Sequence, residues 1–102
     1  MYRFIIERDI PNISAADAIF LRNTARRSNE TLCQLGGSIQ WIESFISGDK
    51  IFCHYLAANE DLIRKHSEMS GIPATRIYRV DNRIDPTLAT SLVGPIPIGH
   101  TP

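Results

Sequence analysis

The stretch SIQWIESFISGDKIFCHYLA, residues 38–57, decides the fold. Two runs rich in β-branched and aromatic residues flank Gly48-Asp49, a two-residue connection of the kind that closes antiparallel hairpins. On each side of this hairpin lie one helix and one further strand. Upstream, YRFIIER (2–8) reads as a strand that stops at Pro11. Ser14 and Asp17 then form a capping-box spacing, with Asp in place of the usual Glu or Gln. Ala18, Leu21, Ala25, Ser28, Leu32 and Leu35 follow at helical spacing until Gly36-Gly37 ends the run. Downstream, Asn59 caps a helix over EDLIRKHSEMS, which closes at Gly71 with Pro73 beyond it. TRIYRVDNRI (75–84) reads as a fourth strand ended by Asp85-Pro86. The order β-α-β-β-α-β predicts an α+β, ferredoxin-like domain over residues 1–86, with a four-stranded antiparallel sheet and both helices on one face. Residues 87–102 are expected to be an extended Pro/Gly-rich arm.

Such a sheet has one bare face. Packing it against a second copy is the economical solution for so short a chain, so a homodimer of the dimeric α+β-barrel type is expected. Eleven basic and eleven acidic residues cancel. That balance argues against nucleic acid or an anionic membrane surface as a partner, since both require surplus positive charge. No apolar run reaches the ~20 residues of a membrane span. The N-terminus MYRFIIERD lacks the features of a signal peptide, so a cytoplasmic protein is expected. Cys33 and Cys53, without C-x-x-C spacing, read as free thiols in that compartment.

Strand alternation sorts residues onto faces. Phe4, Ile6, Ile42, Phe52 and Leu56 form the apolar set expected beneath the helices. Glu7, Trp41, Glu43, Cys53, Tyr55 and Arg79 then fall on the bare face, as a polar pocket enclosed by a dimer. Glu7 among aromatic neighbours reads in two ways: an acid with a raised pKa suited to proton transfer, or a carboxylate paired to Arg79. Cys53 and His54 are adjacent on a strand, point to opposite sides and cannot form a dyad. His54 and His66, twelve residues apart, match no metal-ligand spacing on their own. The Gly36-Gly37 turn runs from helix to strand, the reverse of a phosphate-binding loop, and offers no nucleotide site.

The segments FIIERDIP, IQWIESFISGDKIFCHYLAANEDLIRKHSEMSGIPATRI and RIDP resemble a family of small bacterial proteins often labelled nickel-binding or nickel-responsive. The most specific block is W-x-x-S followed by D-K-x-x-C-x-Y, here Trp41, Ser44, Asp49, Lys50, Cys53 and Tyr55. Glu7, His66, Gly71, Pro73, Asp85 and Pro86 also match. The chain departs from the pattern at His54, where the family more usually has an aliphatic residue, and at Lys65, directly before His66. The resemblance implies a ferredoxin-like dimer that binds a divalent transition metal, nickel, and the lack of any complete catalytic constellation fits a binding module without turnover. Donor chemistry then nominates His66, Glu7, Glu43 and Glu68 as ligands, beside a pocket of Trp41, Ser44, Cys53 and Tyr55. The alternative is a cofactor-free enzyme using Glu7, Cys53 and Tyr55 for proton transfer or oxidation of a small molecule.

Overall fold

The computed structural model describes residues 1–90; most of the predicted arm, residues 91–102, lies outside the described residues. The elements are β1 (Tyr2–Asp9), α1 (Ala18–Leu35), β2 (Ile39–Ser47), β3 (Lys50–Ala57), α2 (Glu60–Ser70) and β4 (Arg76–Arg79). The antiparallel strands lie in the order β2-β3-β1-β4, so the two central strands are β3 and β1. This is the predicted α+β, β-α-β-β-α-β fold. Short 3-10 turns occupy Ile13–Ala15 and Pro86–Thr90. The second of these stands where the arm was expected to be extended already.

Local chemistry accounts for the boundaries. Gly48, at φ 58°, supplies the left-handed residue that the two-residue β2–β3 turn requires. Helix α1 starts later than Ser14 suggested. Asp17 is its cap, its side chain accepting from the Phe20 N–H at 2.8 Å, while Ile13–Ala15 forms the separate 3-10 turn. Asn59 caps α2 by accepting from the Leu62 N–H at 3.0 Å, and Gly71 closes that helix at φ 74°. Asn59→Ala is expected to lower stability by about 1 kcal/mol without changing the fold, measurable as a shift in urea midpoint. Strand β4 is shorter than the sequence suggested. Val80 N–H still donates to the Arg3 carbonyl, after which Asp81 and Asn82 lead the chain off the sheet.

The core lies between the sheet and the helices. Phe4, Ile6, Ile51, Cys53, Tyr55 and Ala57 project from β1 and β3 toward Ile13, Ile39 and Ile63. Phe4 and Ile6 were expected there; Cys53 and Tyr55 were not. The register explains the reversal: Phe4 pairs with Tyr55 and Ile6 with Cys53, and cross-strand partners share a face. Phe52 and Leu56 therefore belong to the open face, opposite to expectation. In β2 a bulge between Trp41 and Glu43 adds one residue, Ile42, which is left 48% exposed rather than in the core. The same bulge lets Trp41 and Ser44, three residues apart, both face the helices, where the indole N–H donates to Ser44 Oγ at 2.9 Å.

Among the described residues no helix is long and apolar enough to cross a membrane.

Candidate functional site

Two regions carry chemistry, one on each side of the sheet. On the helix side a cavity of about 210 Å³ opens between α1 and the sheet. Trp41 and Ser44 from β2, Cys53 and Tyr55 from β3, and Ser28 from α1 line it, with Arg8 of β1. The four pocket residues nominated from the sequence thus share one cavity, but on the helix-covered face instead of the bare one.

Arg8 is the unusual member. It follows Phe4 and Ile6 in the inward phase of β1 and is only 1% exposed. Its Nε–H donates to Cys53 Sγ at 3.3 Å. Its Nη1 donates to Ser67 Oγ at 3.1 Å and to the carbonyls of Ile72 at 3.1 Å and Pro73 at 3.0 Å. The guanidinium therefore ties β1 to the end of α2 and the loop beyond it. No carboxylate among the described residues forms an ion pair with it.

A hydrogen-bonded chain runs from Tyr55 through Ser28 to His66. Ser28 Oγ lies 3.4 Å from Tyr55 Oη and 3.1 Å from His66 Nε2. His66 is 1% exposed, and its Nδ1 is sealed without a partner among the described residues. Burial, reinforced by the Arg8 charge, pushes the His66 imidazole down to about 4. Burial also pushes the Tyr55 phenol up, so that it stays a hydroxyl donor. A Ser–His contact invites comparison with nucleophilic catalysis, but among the described residues no acceptor orients His66 through Nδ1. These contacts tie β3, α1 and α2 together around the cavity.

The open face is ordered as cross-strand rows. Phe45, Phe52, Glu7 and Arg76 form one row, and Glu43, His54, Ile5 and Tyr78 the next. Glu7 is held by Lys50 at 2.7 Å and Arg76 at 2.6 Å. The Lys50 hydrogen bond, with the Arg76 charge, keeps its carboxyl below the usual range despite opposing desolvation. Arg79, the expected partner, instead lies over the Tyr2 ring at 3.7 Å. Glu7 is thus an ion-paired carboxylate on the opposite face from Cys53 and Tyr55, and the proton-transfer grouping of these three does not assemble. His54 faces Glu43, and its Nε2 is sealed without a partner among the described residues. Desolvation, followed by the Arg3 charge, lowers its basicity and keeps the imidazole neutral.

The nominated metal ligands do not converge within one chain. His66 is enclosed on the helix side, Glu68 is exposed on α2, and Glu7 and Glu43 stand on the open face. No group of three His, Cys, Asp or Glu side chains able to hold a metal ion is present among the described residues. A nickel site supplied by a single described chain therefore does not fit. Sequence reasoning also passed over Arg8 and Ser28. The signal for Arg8 was a cation in phase with Phe4 and Ile6 on an inward-facing strand. Ser28 is marked in the sequence only as one position in an otherwise apolar stripe.

A family model described as nickel responsive protein SCO4226-like matches residues 4–80, about three quarters of the 102-residue chain. The crystal structure of SCO4226 from Streptomyces coelicolor A3(2) superimposes with a TM-score of 0.67 at 13% identity. That match covers 80% of this chain and 99% of the other, and at this identity it speaks for the fold alone. Among curated proteins none matches.

Proposed function

This chain belongs to the SCO4226-like family of nickel-responsive proteins, and from that premise we propose that it is a cytosolic homodimer binding a divalent transition metal, without turnover, between two copies. The observation that carries this reading is the His54–Glu43 pair on the open face. One neutral imidazole, its Nε2 enclosed and without a partner among the described residues, stands opposite one exposed carboxylate. This is a borderline-hard donor pair suited to nickel, and it is incomplete by itself. A second copy would double the donor count, so metal binding and dimerisation become one requirement. Glu43 is retained from the ligand set expected from the sequence. Glu7 is already engaged by two cations, while His66 and Glu68 belong to the other side of the sheet.

The same face supplies apolar surface for association. Phe45 is 62% and Tyr78 49% exposed, with Ile5, Phe52 and Leu56 half-buried between them. The formal net charge of zero opposes association little. The free thiols of Cys33 and Cys53 are in keeping with a reducing compartment.

Nickel titration of tag-free protein by calorimetry, with molar mass measured in parallel, tests the reading. Binding is expected to accompany a dimer and to weaken about tenfold or more in His54→Ala, while Glu68→Gln leaves it unchanged. Absence of heat, or full binding by monomeric His54→Ala, would remove the proposal.

A further inference from the structure

We propose that the helix-side cavity is a binding site for a small organic monocarboxylate, its carboxylate received by Arg8 and its apolar body lying against Trp41 and Ile46. The argument begins with charge. Arg8 is a fully enclosed cation whose partners are two carbonyls, a hydroxyl and a thiol sulfur. These satisfy Nε and Nη1 as donors, yet no anion among the described residues offsets the charge. A buried ion without a counter-ion is costly. The guanidinium also borders an existing cavity, so an incoming anion could reach it.

The lining identifies the ligand class. Among the described residues Arg8 is the only charged one lining the cavity, which favours a monoanion over a phosphate dianion. Ser28, Ser44 and Tyr55 add hydroxyl groups. Leu21, Ala25, Trp41, Ile46, Ile51 and Ile72 supply apolar walls. At about 210 Å³ the cavity is smaller than the ~300 Å³ lower end of drug-sized pockets. A short branched or single-ring acid is therefore the matching size. This site lies across the sheet from the proposed metal pair and does not depend on it.

Trp41, the only tryptophan, lines the cavity and reports on its contents. With chelator present to exclude metal effects, benzoate is titrated against full-length protein and followed by Trp41 fluorescence and calorimetry. Benzyl alcohol, matched in size but neutral, and inorganic phosphate are titrated alongside. Benzoate is expected to bind with Kd of about 1 mM or tighter, with benzyl alcohol and phosphate at least about tenfold weaker. Ala25→Leu fills the cavity from α1 while leaving Arg8 in place, and is expected to abolish binding in a protein whose circular dichroism is unchanged. Arg8→Met is expected to reduce benzoate to the affinity of benzyl alcohol if it folds; Ala25→Leu and the ligand series carry the test if it does not. No response to benzoate, equal binding of benzyl alcohol or phosphate, or undiminished binding by folded Ala25→Leu would each overturn the proposal.

Discussion

Arg8→Ala is expected to destabilise the protein by about 3 kcal/mol, a large fraction of the roughly 5–15 kcal/mol that holds a domain together. The wild-type side chain makes four hydrogen bonds that join β1 to Cys53, Ser67 and the loop after α2. Truncation strands the Ile72 and Pro73 carbonyls and leaves a void beside Cys53. Against this loss stands relief from burying an unpaired cation, which limits the net effect. Urea unfolding at neutral pH measures the balance. Arg8→Lys should fall between wild type and alanine, because an ammonium keeps the charge but lacks the planar fork that reaches several acceptors at once. An Arg8→Ala variant within about 0.5 kcal/mol of wild type would mean that desolvation cancels all four bonds.

The second large effect is acid lability through His66. Its folded pKa is lowered to about 4, against 6.5 for an unperturbed imidazole. The unfolded chain therefore takes up a proton that the folded chain refuses, and stability falls as pH drops from 6.5 toward 4. Between pH 7.5 and pH 5 the loss is expected to be about 2 kcal/mol from this residue. His54 shifts in the same direction and adds to the slope. Glu7, Asp9 and Asp85 are lowered by their partners, so their contribution is lost only at still lower pH, as the carboxylates protonate. Urea midpoints measured across this window should show most of the slope removed in His66→Gln, and a smaller part in His54→Gln. An unaltered slope in His66→Gln would show that another group is responsible.

The elements were legible in the sequence because their boundaries rest on local chemistry: Gly48-Asp49 closes the hairpin, Asn59 caps α2 and Gly71 ends it. The faces were harder to read. β3 carries Phe52 and Leu56 on one side and Ile51, Cys53, Tyr55 and Ala57 on the other, so apolar residues occur on both. The larger side chains suggested the wrong interior. Register decided otherwise, since Phe4 and Ile6 of β1 oppose Tyr55 and Cys53. No residue type near Ile42 announces the bulge that brings Trp41 and Ser44 to the same side. The candidate site was therefore partly legible: Trp41, Ser44, Cys53 and Tyr55 were grouped, while the face, Arg8 and Ser28 depended on tertiary packing. The metal ligands chosen by donor type alone were separated by the thickness of the sheet.

The bulge at Trp41–Glu43 also affects how the molecule can add to itself. β2 is the longer of the two edge strands, nine residues against four for β4, and an unbroken edge of that length could recruit a strand from another chain. The inserted Ile42 interrupts the regular spacing of backbone donors and acceptors midway along it. End-to-end sheet growth, the route toward fibres, is thereby disfavoured, while broad contact through a sheet face is left free.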